Sequence, residues 1–354
     1  PAIDINLNPA NPVINTRSFG QNKWKVSLLS EQYIKGLQDN DVMAVIKHFP
    51  GHGDTDLDSH LSLPTISHSK DFIDTVDLIP FKYNIEKGVW GAMIAHLNVP
   101  ALNEHYTYPA SINPDIIQGY LVDELGFEGL IFTDAMNMKG LTNDYPDGRA
   151  QVLALKAGVD ILLMPNNTDS AMNAILSAIE NGELSKDLIK EKCRKVLNWK
   201  YKLGVMNPKY APKPLSKKQK EEIGKHCEVI APKILTLLEN KDNIIPINKK
   251  DTNQIIFVNL DNKDYSYFLK QAKKYKEIIP YTFEKKSLNE DLEKLLNILD
   301  SSKTVIVAAS GGVNSKKTDN YGISKQSLEL LSSIQETKAK NILLLFANPY
   351  SLES

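Results

Sequence analysis

Between Lys47 and His60 the chain reads KHFPGHGDTDLDSH. Histidines 48, 52 and 60 and aspartates 54, 56 and 58 share this stretch with Pro50, Gly51 and Gly53. It is too polar for a core and too irregular for a helix. Metal binding is the first chemistry to test, because imidazole and carboxylate are metal ligands. His48 and His52 have the spacing of the histidines in a helical zinc motif, but Pro50 and Gly51 break the helix and no glutamate follows His48. Asp54, Asp56 and Asp58 imitate the start of a calcium loop, yet the glycine position holds Ser59 and the closing glutamate position holds Thr65. Both patterns lack the residues that make them work, so no metal is expected, and no other cofactor.

Acid–base chemistry is the second. In extended backbone, residues i and i+2 point the same way, so Asp58 and His60 can meet. A carboxylate beside imidazole favours the cation and fixes its tautomer. That suits a histidine to give or take a proton near neutral pH. Alone, an Asp-x-His triplet is weak evidence, since chance and structural hydrogen bonding explain most instances. Pro50, Gly51 and Gly53 set a tight turn whatever the function, and His52 reads as a hydrogen-bonding partner of that turn. His68 lies in a polar stretch before a helix and reads as a surface residue. Asp134, in IFTDAMNM, follows directly on an apolar run, where a carboxylate is costly unless it is used or paired. It reads either as a catalytic group or as the N-cap of the next helix.

The elements that must position these groups alternate. Strand-like apolar runs fall at 2–7, 42–49, 91–98, 129–135 and 159–165. They are near-continuous rather than alternating, as in a parallel sheet buried on both faces. Helix-like stretches follow each, at 27–38, 72–88, 112–126, 147–158 and 168–182, most closing near glycine or Asn/Asp. Asp4, Lys47, His48, His96 and Asp134 sit where strands end. Polar groups at several strand ends predict a (β/α)8 TIM-like barrel rather than an open sheet with one ligand crevice. A proline-rich linker is expected at 204–216, between a barrel domain over 1–203 and an α/β sandwich domain over 217–354. The run PAIDINLNP reads as the middle of a fold, and NILLLFANPYSLES stops just after a strand. Both domains are therefore expected to be incomplete, the first at its N-terminal and the second at its C-terminal end.

Composition narrows the partners. The chain of 354 residues carries 42 Lys+Arg against 43 Asp+Glu, a net charge of -1, which offers no electrostatic footprint for nucleic acid. No apolar run reaches the roughly 18 residues of a membrane span. Cys193 and Cys227 form no C-x-x-C pattern and are expected as buried or partly buried free thiols in helices.

Taken together, KHFPGHGDTDLDSH, GLIFTDAMNM, DINLNPANPVINTRSFG and TLLENKDNIIPI resemble glycoside hydrolase family 3, in the family's order and over nearly the whole chain. Within it, Asp-x-His after KHFPGHG is similar to the β-N-acetylglucosaminidase branch. The resemblance implies Asp134 as nucleophile and His60 as general acid/base, oriented and charged by Asp58. It implies Arg17, Lys47 and His48 as holders of the sugar hydroxyls and acetamido group. The expected substrate is a carbohydrate with terminal β-linked N-acetylglucosamine, as in peptidoglycan (muropeptide) fragments. The barrel strands that normally precede PAIDINLNP, with their acidic sugar-binding residue, are absent from the sequence. A phosphorylase of the same fold and a catalytically impaired sugar-binding fragment are the alternatives.

Overall fold

A computed structural model of the chain describes residues 1–57, 61–146, 148–207, 214–248, 250, 253–261, 263–282, 288–299, 303–312 and 317–353. The chain divides into two compact units, Pro1–Tyr210 and Ala211–Ser354.

The first unit holds a parallel sheet of β1 (Val45–Phe49), β2 (Gly91–Ile94), β3 (Leu130–Ala135) and β4 (Ile161–Leu163), in that order. Helices separate consecutive strands, as parallel pairing requires. The helix Lys23–Gln38 leads into β1, helical turns over 70–86 join β1 to β2, and a π-helical segment Asp115–Glu124 precedes β3. The helix Arg149–Ala157 lies between β3 and β4. Asn22, Ser69, Asn167 and Ser185 each accept a backbone N–H at a helix start, which satisfies donors the helix itself leaves open. Ile46 pairs with Ala92, and Ala92 with Ile131. All three are buried in one apolar cluster with Phe49, Phe81 and Val159.

The run at 2–7 does not form the strand expected of it. It makes one parallel bridge, Ala2 to Lys47. Ile3 N–H donates to the Lys47 carbonyl at 2.7 Å, and Lys47 N–H donates to the Pro1 carbonyl at 3.1 Å. Beyond that the backbone turns away, with Asn6 N–H donating to the Gly20 carbonyl at 3.1 Å.

The second unit is a parallel sheet in the order β6 (Ile278–Thr282), β5 (Gln254–Asn259), β7 (Lys303–Ser310), β8 (Lys340–Phe346). Its central strands are apolar on both sides. Ile256, Val258, Val305 and Val307 pack into one cluster, and Ile255, Phe257, Ile306 and Ala308 into another. β8 closes the order, with Leu343 and Phe346 exposed. Cys193 and Cys227 are both exposed, contrary to expectation: the helix that bears Cys193 buries only Lys192, and the helix that bears Cys227 buries no residue. Among the described residues no helix is long and apolar enough to cross a membrane.

Candidate active site

The site is built where β1, β2 and β3 end. The register of β1 against β2 shifts between Ile46 and Phe49, and that of β3 against β4 between Phe132 and Ala135. Such irregularities re-aim side chains. Here they fall on Lys47-His48 and on Asp134.

Asp4 is the hub. Its side chain is fully buried, with Oδ2 2.8 Å from His48 Nδ1. Oδ1 accepts the backbone N–H of His48 at 3.1 Å and of His52 at 2.8 Å. Burial would raise the Asp4 pKa, but the charge and hydrogen bonds of His48, with His52 behind, bring it down to about 2. The other ring nitrogen of His48, Nε2, faces Arg17 Nη2 at 3.4 Å. Arg17 also donates to the Val13 carbonyl at 3.1 Å. The loop bearing it is fixed by Asn11, whose Oδ1 accepts from Val13 and Ile14 N–H while its amide donates to the His52 carbonyl. The Lys47–His48 and Phe49–Pro50 peptides are cis.

His52 holds the turn, as read from the sequence. It is buried, its Nδ1 2.8 Å from Thr55 Oγ1. Burial, helped by the charge of His48, lowers its pKa to about 4. Gly53 is obligatory here, since a Cβ at this position would stand 1.7 Å from the Ile5 carbonyl oxygen.

Asp134 lies at the end of β3 and does not cap a helix. The next helix, Lys139–Thr142, starts after Met138, and Asp134 Oδ1 accepts the N–H of Ala135 at 2.8 Å. Burial pushes its pKa up. The positive charge of His48 and His96, the Ala135 N–H and Lys47 outweigh that and hold it below the usual carboxylate range. Lys47 is pushed down by burial and by Arg17, while Asp134 and Asp4 oppose the shift. Arg17, Lys47, His48 and Asp134 thus share one electrostatic neighbourhood. Asp58 and His60 lie outside the described residues.

Two residues do more than the sequence analysis assigned to them. His96 is fully buried behind β3, close to Ser111 Oγ at 2.6 Å through Nδ1 and to the Ala135 carbonyl at 3.0 Å through Nε2. It steadies the backbone beside Asp134, a role that its place at a strand end did not by itself specify. His68 is not a lone surface residue. Its Nε2 is 2.7 Å from Asp54 Oδ2 and its Nδ1 2.7 Å from Asp77 Oδ2.

A family model described as Glycosyl hydrolase family 3 N terminal domain matches residues 1–199. Beta-hexosaminidase A of Pseudoalteromonas piscicida is 31% identical over 293 residues, 77% of this chain and 48% of that protein. A beta-hexosaminidase of Thioalkalivibrio sulfidiphilus is 37% identical over 183 residues, 51% of this chain and 50% of its own. The chain spans about half the length of these curated relatives. Among solved structures, a glycoside hydrolase family 3 beta-N-acetylglucosaminidase from Paenibacillus sp. superposes with a TM-score of 0.79 at 28% identity, covering 100% of this chain and 68% of that one. The beta-glucoside phosphorylase BglX superposes with a TM-score of 0.82 at 26% identity, covering 100% and 66%.

Proposed function

This chain belongs to glycosyl hydrolase family 3, and on that premise we propose that it carries the catalytic site of a retaining exo-β-N-acetylglucosaminidase. The observation that carries the reading is Asp134, held ionised at the end of β3 with the cation Lys47 in its electrostatic neighbourhood. The named hexosaminidase relatives support the same substrate class. The first unit is read as part of a (β/α)8 barrel over 1–203. Its sequential parallel strands and the gathering of polar groups at strand ends support this. The second is read as part of an α/β sandwich over 217–354, after a linker at 204–216.

In this mechanism the Asp134 carboxylate attacks the anomeric carbon while His60, charged by Asp58, protonates the departing glycosidic oxygen. The glycosyl–aspartate ester then yields to water, whose proton returns to the neutral imidazole. Arg17 and Lys47 donate to sugar hydroxyl and amide oxygens. His48 holds Arg17 in place through Nε2. A muropeptide is a fitting natural source, since it supplies terminal β-N-acetylglucosamine.

The test is covalent labelling of the full-length protein with a fluorinated sugar bearing a good leaving group. The label is expected on Asp134, with Asp134→Ala inactive. Label on another residue, with Asp134→Ala still turning over, overturns the assignment. Release of a sugar 1-phosphate in place of the free sugar, when phosphate is added, would instead support the phosphorylase reading, for which the BglX likeness is the motive.

A further inference from the structure

The segment from Asp54 to His68 leaves the end of β1 and returns beside β2. Its return limb is pinned. Ile66 N–H donates to the Asn98 carbonyl, and Asn98 N–H to the Pro64 carbonyl, both at 2.9 Å. Its two ends meet through one side chain, the His68 ring that lies 2.7 Å from Asp54, fourteen positions earlier. The other ring nitrogen reaches Asp77 at 2.7 Å, in the π-helical segment Ile73–Asp77. Asp77 itself lies against the tight turn at Pro50–Gly53, where a Cβ added to Gly51 would meet the Asp77 Cβ at 3.2 Å. Phe72 covers the ring, with centroids 4.3 Å apart. The side chains of His68 and Asp77 are only 19% and 12% exposed, so solvent weakens this network less than a surface ion pair.

We propose that His68 is a positioning residue. By joining Asp54 to Asp77 it staples the base of the segment that carries Asp58 and His60, and so sets where the proton donor stands. This rests on the reading of Asp58 and His60 as the proton-transfer pair.

The proton count supports a staple with a defined state. Ionised carboxylates only accept, so both ring nitrogens must donate for both bonds to exist. The groups facing the ring are Asp54 and Asp77, with Asp4 acting on Asp77 from behind. Burial opposes the charge on His68, and the two carboxylates outweigh it and hold the ring above its ordinary value. Burial, with Asp54 and Asp4, raises Asp77 to about 6 against the pull of His68. Loss of one bridging proton as the pH rises leaves a ring lone pair facing a carboxylate. Asp54, 35% exposed, is then the tie that opens first.

The experiment measures kcat/KM of the full-length protein on two aryl β-N-acetylglucosaminides. One has a leaving group that needs protonation and the other releases dinitrophenolate. His68→Ala and Asp54→Ala are expected to lose about 10- to 100-fold on the first, and less than about threefold on the second. Asp54→Asn, which keeps an acceptor oxygen opposite Nε2, should fall between wild type and Asp54→Ala. Should His68→Ala fail to fold, the two Asp54 variants carry the same comparison. Equal losses on both substrates, while His60→Ala shows the split, would overturn the positioning role alone. A His60→Ala protein without the split would overturn the proton-donor reading and the inference with it. Independently, ¹⁵N-histidine spectra at neutral pH should show a ring protonated at both nitrogens that loses one proton in Asp54→Ala. A singly protonated His68 in the wild type would also overturn the staple.

Discussion

His48 Nδ1 lies 2.8 Å from one oxygen of Asp4, and the other oxygen of that carboxylate takes the amide protons of both His48 and His52. One buried group therefore dictates the direction of an imidazole and the path of the turn that follows it. Everything proposed for the end of β1 depends on it.

Asp4→Asn should be severely destabilising. The carboxamide keeps one acceptor oxygen but turns an NH2 towards a group that also donates. Breaking a buried pair from one side costs about 3–5 kcal/mol, read by urea unfolding at neutral pH. The depressed pKa sets the pH window. The stability Asp4 contributes is fully present above its ordinary value of 3.8 and is lost as the pH falls towards about 2. The gap between wild type and variant should close over that range. A variant as stable as wild type at pH 7 would contradict the role of hub.

His52→Gln should reveal a different window. The folded protein holds this ring neutral down to about 4, whereas an unfolded histidine takes a proton near 6.5. Its depressed pKa therefore makes wild-type stability fall as the pH drops from about 6.5 to about 4. The variant should show a shallower slope across that interval and an unaltered activity profile above it. Parallel stability curves for the two proteins would refute the neutral, turn-holding assignment.

Lys47→Met should cost about 10- to 100-fold in kcat/KM on an aryl β-N-acetylglucosaminide, the worth of a charged hydrogen bond. Lys47 also helps keep Asp134 ionised, so its loss should move the acidic limb of activity to higher pH. The wild type should prefer the 2-acetamido sugar to the glucoside, since Arg17 and Lys47 suit hydroxyl and amide oxygens. Equal efficiency on the two sugars, or an unmoved acidic limb in Lys47→Met, would count against this use of the cation.

Much of this was legible beforehand because it is periodic. Apolar runs marked β1 to β4, and the polar residues ending them marked Lys47, His48 and Asp134. Asp134 kept two readings until the structure started the next helix too late for it to be the cap. What escaped was long-range and carried by single atoms. The hold of Asp4 on amides 44 and 48 positions away leaves no local trace. The same is true of the Ile5 carbonyl pressed against Gly53, and of His68 between two aspartates in a stretch that is polar for other reasons. The run at 2–7 has a strand's composition, but past Ala2 its amides go to other partners.

The edge strand β8 has a consequence for anyone handling the chain in isolation. It is a seven-residue segment, KNILLLF, without proline or glycine, and Leu343 and Phe346 are 44% and 50% exposed. Strands of that kind template intermolecular β-pairing and aggregation. Charge guards only the entry, through Lys338 and Lys340, while the apolar half is followed by Pro349 and meets no charge until Glu353. Self-association through this edge would show as concentration-dependent light scattering, relieved by Leu343→Lys and untouched by changes at the ends of β1 and β3.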